Sequence, residues 1–239
     1  MRTTMVFRHE NIRVTALATV YFAVAIAEVI CELYAYKPLI YILKPMMPLM
    51  LMLLYYASSS VRSPMFFVIM SLSLITNILF IPDSQSYLFY GLVVFLAHRI
   101  LLLYFIIRLL KITDFIPAVI ATVPFLLVFF YLFMITNGIP ENSFFVLIIQ
   151  NILISVICGI SFSHYMMQDS KRNSWLLQCG ILFGSLHFIV FIEKFYLTGF
   201  SPVIFRPMAM GLNAFAFYAF YEFVMSTEKL NRNDAGSVG

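Results

Sequence analysis

The sequence predicts an all-α polytopic membrane protein, a bundle of eight transmembrane helices with both termini in the cytoplasm. The first observation is composition: of 239 residues, 62% are hydrophobic and only 11% are charged. Soluble domains carry about 25% charged residues, so this chain cannot cover a water-exposed surface. Soluble enzymes and disordered chains are therefore excluded. A net charge of +4 provides no basic patch, and we expect no nucleic-acid partner.

The second observation is the division of the chain into eight apolar segments, each near the 20 or so residues that cross a bilayer. Ser, Pro, Asn and Gly cluster at turns between several of them, as at Ser58–Ser60 and Asn137–Pro140. We expect one domain over residues 1–230 and a short disordered tail over 231–239. In chain order the segments are Val14–Ala35, Leu39–Ala57, Met65–Ile81, Tyr87–Leu110, Phe115–Thr136, Phe144–Met166, Trp175–Leu197 and Val203–Met225.

The third observation is the distribution of basic residues among the loops. Loops on the cytoplasmic side of membrane proteins carry an excess of Lys and Arg. With eight spans, the opposite side has Lys37 alone, and its acids are Asp83 and Glu141. We therefore expect an integral protein of a bacterial inner membrane with both termini inside. The cytoplasmic set is Arg2, Arg8, Arg13, Arg62, Arg108, Lys111, Lys171, Arg172, Lys229 and Arg232.

The remaining charged and strongly polar residues fall within the apolar segments. Such residues are costly in lipid, so they usually face the bundle interior and often mark function. At about 1.5 Å of rise per residue, most of them lie in the outer half of the bilayer. This pattern predicts a polar cavity that is open to the outer face and closed toward the cytoplasm. Its candidate residues are Glu28, Lys44, Asn77, His98, Arg99, His187, Glu193, Lys194, Arg206 and Asn213.

Simpler interpretations exist for several of these residues. Glu32 and Lys194 are near enough to the interface to snorkel, and Arg206 can anchor a loop or contact a lipid headgroup. A single intramembrane histidine often only packs and donates a hydrogen bond. Arg99 is harder to explain in this way, because a guanidinium at the midplane needs a counter-ion.

The sequence points to no cofactor and no metal site. Its three cysteines lie inside apolar runs, and their spacing matches no metal motif. We therefore expect them to be small core residues.

Two short motifs carry a resemblance to a known family. The second segment contains Lys44-Pro45, and the fourth contains Gly91-Leu92, Phe95-Leu96 and His98. With the count of eight helices, the chain resembles the YhhN-like membrane family, which includes lysoplasmalogenases. The resemblance covers nearly the whole chain and implies an eight-helix bundle. Active members cleave the vinyl-ether bond of lysoplasmalogens to give an aldehyde and a glycerophospho head group.

The chain departs from that family at the two intramembrane aspartates on which the activity relies. The third-helix position is Asn77 and the seventh-helix position is His187. Vinyl-ether hydrolysis needs a proton delivered to carbon and then the addition of water. Asn77 can do neither, whereas His187 can act as acid or base. The resemblance therefore implies the fold more directly than the activity.

Two functions follow as hypotheses. In the first, the protein hydrolyses a lysolipid ether or vinyl-ether bond. His98, His187, Glu28 and Glu193 are then the catalytic candidates. Substrate-binding candidates are Lys44, Asn77, Arg99, Lys194, Arg206 and Asn213.

In the second hypothesis, the protein binds a lysophospholipid-like lipid without catalysis, or is a membrane subunit of a larger assembly. A transporter is disfavoured, because few polar residues lie in the inner half.

Overall fold

A computed structural model of the chain describes residues 2–82, 84–110, 112, 114–136, 139–197 and 203–237, with side chains over residues 12–233 of these ranges. Asp83 and Lys111 lie outside the described residues. Within these ranges the structure is helical and contains no strand. Its helices are α1 (Arg2–Leu33), α2 (Lys37–Ser58), α3 (Pro64–Leu79), α4 (Gln85–Leu110), α5 (Ile116–Met134), α6 (Glu141–Met167), α7 (Lys171–Phe191), a π-helical turn (Ile192–Tyr196) and α8 (Phe205–Ser237).

The helices have the length and surface of membrane spans. In the described chain, seven are long and apolar enough to cross a membrane, and α3 is an apolar helix of 16 residues. Large apolar side chains face outward on them, among them Ile120, Leu127 and Phe145. Water would penalise such a surface, whereas lipid does not. The chain is therefore an integral membrane protein of all-α class.

The helix boundaries follow local chemistry that is visible in the sequence. Pro38, Pro64 and Pro117 occupy the first turns of α2, α3 and α5, where a missing N–H costs nothing. The Ser170 hydroxyl caps α7 by accepting a hydrogen bond from the Asn173 N–H at 3.2 Å. Turn residues between the segments end the first seven helices, α7 together with its π-helical turn, within a few residues of the predicted limits.

Two helix ends lie well beyond the predicted apolar segments: α1 begins at Arg2, before Val14, and α8 continues past Met225. The sequence predicts a disordered tail over residues 231–239, but α8 continues to Ser237. The physical reason is that a helix already formed gains one hydrogen bond for each residue added, without a new nucleation cost. Asn231 to Asp234 contain neither Gly nor Pro, so nothing in them stops the propagation.

Of the described helices, seven form a closed ring, and α5 lies outside it. Along the chain, α1 packs on α2, α2 on α3, and α3 on α4, whereas α4 then packs on α6. The ring continues through α7 and α8, and α8 returns to α1. The main partner of α5 is α6. A close helix approach joins them, because an added Cβ at Gly159 would lie only 2.7 Å from the Thr122 Cα.

The half of the ring away from the start of α2 is closed by apolar packing and by a hydrogen-bonded cluster of Tyr55, Ser59 and Glu228, which we call the latch. Fully buried Leu51, Phe66, Met70, Leu102 and Phe220 fill its interior.

Below them, Glu228 of α8 accepts hydrogen bonds from Tyr55 at 2.5 Å and from Ser59 at 2.6 Å. The Ser59 hydroxyl also accepts the N–H groups of Val61 and Arg62 in the α2–α3 turn. The latch therefore ties the C-terminal half of α8 to this turn.

The close α5–α6 approach predicts the effect of a single methyl group. Gly159→Ala should lower Tm, because overpacking costs roughly 1–3 kcal/mol and the contacted Thr122 backbone cannot move aside. Gly211→Ala is the matched control, because its Cβ would meet no atom closer than 3.9 Å. It should leave Tm unchanged or raise it, since Ala is the better helix former. Thermal unfolding of both variants in detergent checks this, and equal Tm values would contradict the proposed contact.

Candidate functional site

A cavity of about 350 Å³ lies inside the ring of helices. It occupies the end at which α1, α3 and α7 finish and α2, α4, α6 and α8 begin. Every helix except α5 contributes described residues to its wall. Eight of the ten predicted site residues line it, namely Lys44, Asn77, Arg99, His187, Glu193, Lys194, Arg206 and Asn213.

The upper edge of the cavity, which we call the rim, reaches the protein surface. It is formed by Ala35, Lys37, Lys194, Val203 and Arg206. The side chains of Lys194 and Arg206 are 28% and 47% exposed, whereas that of their partner Glu193 is 4% exposed.

Glu193 is shared as an ion-pair partner by two rim cations, Arg206 and Lys194. The Arg206 Nε donates to Glu193 Oε1 at 2.9 Å, and the Lys194 Nζ lies 3.7 Å from the same oxygen. Glu193 reaches this position from the π-helical turn, a rare helix form that is frequent at functional sites.

A second ion pair lies in the wall between α1 and α2. The Lys44 Nζ donates to Glu32 Oε1 at 2.9 Å, and both side chains are less than a tenth exposed. Glu32 is therefore held inside the wall by Lys44 and does not reach toward the membrane surface. A buried pair of this kind is costly to break, because the remaining charge would have no partner.

Asn77 contacts the backbone of α2 at a point that proline has disrupted. Pro48 has no N–H, so the Lys44 carbonyl four residues earlier loses its helical donor. The Asn77 Nδ2 donates to that carbonyl oxygen at 3.3 Å. Asn77 thus has a structural task at the cavity wall that the sequence alone did not reveal.

His187 is held in a fixed orientation by a residue that sequence reasoning missed. Its Nε2 lies 2.7 Å from the Asn151 Oδ1, and Asn151 in turn donates to the Phe129 carbonyl at 3.4 Å. With Nε2–H as the donor, Nδ1 of the neutral ring is left as an acceptor. Asn151 stands beside Gln150 in an otherwise apolar stretch, and that pair of polar residues was the available signal.

The floor of the cavity, formed by Arg99, Leu186 and Phe217, contains an unpaired charge. Arg99 is 2% exposed, and neither of its terminal nitrogens has a hydrogen-bond partner in the described structure. Its guanidinium lies 4.6 Å from the centroid of the Phe95 ring, which is a cation–π distance. Neither expected carboxylate is a hydrogen-bond partner of the Arg99 terminal nitrogens: Glu193 pairs with Arg206, and the cation that influences Glu28 is Lys44.

The other two predicted site residues, His98 and Glu28, do not line the cavity. The His98 ring stacks on Phe95 with centroids 5.6 Å apart and meets the edge of Phe217 at the same distance. Its nitrogens and the Glu28 Oε1 are buried without hydrogen-bond partners among the described atoms. These two candidates are therefore separated from the cavity by the packing of its wall.

The arrangement is suited to binding an amphiphilic molecule. Apolar surfaces from Leu92, Phe191 and Met210 alternate with the polar groups of Gln150 and Asn213, as in most small-molecule sites. Within the described part of the chain, no group of His, Cys, Asp and Glu could hold a metal ion.

The Asn77 contact predicts a compensating pair of substitutions. Asn77→Leu should lower the free energy of unfolding by about 1–3 kcal/mol, because the Lys44 carbonyl then has no donor. In a Pro48→Ala background the same change should cost less, since the introduced alanine supplies the helical N–H. A double-mutant cycle measured by thermal or chemical unfolding checks this, and an equal cost in both backgrounds would show that the bond contributes nothing.

The comparisons with known proteins leave the chain without an assigned relative: no family model matches it, and neither a curated protein nor a solved structure does.

Proposed function

We propose that this protein binds a lipid-like, single-chain amphiphile inside the membrane. The observation that carries the proposal is the cavity, a polar and partly charged space enclosed by an apolar bundle. Burying a charged group in a bilayer interior costs so much free energy that such groups are normally found only where they stabilise the structure or serve a function. A ligand with both apolar and polar parts matches a wall that offers both.

The proposed orientation places the rim toward the outer face of a bacterial inner membrane and the latch toward the cytoplasm. Seven cationic side chains within the described ranges lie at the latch end, whereas Lys37 and the two cations paired with Glu193 lie at the rim. This asymmetry follows the rule that basic residues stay inside. It implies that α3 completes a set of eight spans. The latch-end residues are Arg13, Arg62, Arg108, Lys171, Arg172, Lys229 and Arg232.

Binding is better supported by the geometry than catalysis is. Of the four catalytic candidates, His98 and Glu28 do not reach the cavity, and Glu193 is neutralised by two cations. His187 alone has both a place in the wall and a fixed orientation. A role as a subunit of a larger assembly stays a prediction from the sequence.

Photo-crosslinking with a matched pair of methionine variants tests the binding proposal. A photoactivatable decanol in nanodiscs should label cavity-lining peptides of the wild-type protein. Met210→Trp should reduce that labelling at least severalfold, because Met210 lines the cavity. Met208→Trp should leave it unchanged, because Met208 is 44% exposed on the outside of the same helix. Labelling confined to lipid-facing surfaces in the wild type would overturn the proposal.

A second candidate function is hydrolysis of a lysolipid vinyl ether, which rests on His187 and on the resemblance to the YhhN-like family. Protonation of the vinyl carbon, followed by addition of water, gives a hemiacetal that releases an aldehyde and the head-group alcohol. The His187 Nδ1, with Nε2 held by Asn151, would first take up a proton from solvent, deliver it to the vinyl carbon, and recover a proton from the water that adds to the resulting cation.

Incubation with lysoplasmalogen, followed by aldehyde detection, separates the enzyme from the binding protein. An enzyme should release aldehyde in the wild type and in His98→Ala, and should lose activity in His187→Ala. The two histidines make a matched pair, because both are buried and only His187 faces the cavity. Absence of aldehyde release from the wild-type protein would overturn the hydrolase.

A further inference from the structure

The charges of the cavity differ sharply in how well they are paired. At the rim and in the wall, Arg206 and Lys194 share Glu193 as their ion-pair partner, and Lys44 pairs with Glu32. At the floor, both terminal nitrogens of Arg99 are buried and have no hydrogen-bond partner among the described atoms. The strongest unsatisfied attraction for an anion therefore lies at the deepest point of the cavity.

A purely structural role does not account for this guanidinium. Leaving a buried charge unpaired is among the most destabilising arrangements in a protein. The ring of Phe95 at 4.6 Å offers a cation–π contact, but it gives no hydrogen bonds to the two terminal nitrogens. His98, Cys158 and His187 interact electrostatically with Arg99, but none of them hydrogen-bonds to its terminal nitrogens. The His187 Nε2 is engaged by Asn151.

The two free nitrogens define the chemistry of the missing partner. Together they form the fork that binds two oxygens of one carboxylate or phosphate group. An oxyanion is therefore the group that completes the hydrogen bonding of Arg99. The position of Arg99 along α4, about 20 Å from the helix start at 1.5 Å per residue, places that oxyanion deep inside the bundle.

The shape of the floor limits what can lie beyond the oxyanion. Phe217 and Leu186 line the cavity beside Arg99, and the fully buried Leu102 and Phe220 seal the bundle below it. A group that extends past the charge, such as the ethanolamine of a phosphodiester, has no space there. The oxyanion must therefore be terminal on its molecule.

We propose that the unpaired Arg99 guanidinium is an oxyanion receptor, and that the amphiphile enters head first with a terminal carboxylate or phosphate monoester at the floor. This inference rests on the proposed binding function and names its ligand class. The apolar chain then lies along Leu92, Phe191 and Met210 and points toward the rim. This orientation is opposite to that of a phospholipid in the surrounding outer leaflet.

Displacement of a photoactivatable decanol probe tests the head-first mode in nanodiscs of phosphatidylcholine. Competitors are decanoate, decyl phosphate, decanol and decyltrimethylammonium, all with the same apolar chain. Decanoate and decyl phosphate should displace the probe from the wild type at concentrations at least about tenfold lower than those needed with Arg99→Gln. Decanol should not distinguish the two proteins. Since both proteins face the same bilayer, their ratio removes the effect of partitioning.

The matched control is Arg108→Gln, which removes an exposed arginine from the last turn of the same helix, α4, at the latch end and away from the cavity. This variant should bind decanoate within about threefold of the wild type. Equal loss in both variants would overturn the assignment of the oxyanion to Arg99. Preferential displacement by decyltrimethylammonium would overturn it as well.

A stability measurement keeps the inference testable if Arg99→Gln folds poorly. Without added ligand, Arg99→Met should have an equal or higher Tm than the wild type, because it removes an unpaired buried charge. Decanoate should raise the Tm of the wild type and not that of Arg99→Met. A much lower Tm for ligand-free Arg99→Met would assign Arg99 a structural role and overturn the receptor.

The two proposals fail in distinguishable ways. If the decanol probe never labels the wild-type cavity, the binding function fails. If the probe labels the cavity but decanoate binds the wild type and Arg99→Gln with equal affinity, only the head-first inference fails. Acetate and inorganic phosphate are included as short anions. Arg99-dependent binding of these as tight as that of the decyl compounds would support the receptor and overturn the amphiphile.

Discussion

The structure depends on one constraint: in an apolar surrounding, every charge and every backbone polar group must find its partner inside the protein. Lys44 meets this requirement through Glu32, and Arg206 meets it through Glu193. The backbone follows the same rule, because the carbonyl released by Pro48 is taken up by the side chain of Asn77. Each of these bonds joins two different helices or helix segments, so the pairing of polar groups also fixes the helix positions around the cavity.

The constraint divides the bundle into two halves with different tasks. In the sealed half, the interior is filled by fully buried Leu51, Met70 and Phe220, and Glu228 binds the α2–α3 turn. In the other half, polar side chains keep the helices from closing, and the cavity remains. Among the described side chains, Glu28, His98 and Arg99 keep buried polar atoms without a partner, and of these three only Arg99 lines the cavity. Arg99 lies at the boundary between the halves, with the buried apolar residues of the sealed half beneath it.

The sequence predicted the helices well, because apolar length and turn chemistry are local properties. It also predicted that polar groups would gather at one end, because depth follows from residue number along a helix. The direction of a side chain was harder to predict. His98 and Arg99 are adjacent and about 100° apart around α4, and of the two only Arg99 lines the cavity. The packing of α4 on α6, with α5 left outside, depends on tertiary contacts between distant segments and has no local signal. Asn77 as a cap for a proline-released carbonyl likewise required knowledge that α2 and α3 are neighbours.

The peripheral place of α5 has a consequence for work with the protein. Its outward residues, among them Ile120, Val123 and Leu127, contact the surroundings of the bundle, and the described part of this helix contributes nothing to the cavity wall. A fluorophore or spin label attached there would report on the protein in its bilayer without entering the cavity. Because α5 is separate from the cavity wall, substitutions on its outward surface can suit a different membrane composition without altering the ring that encloses the cavity.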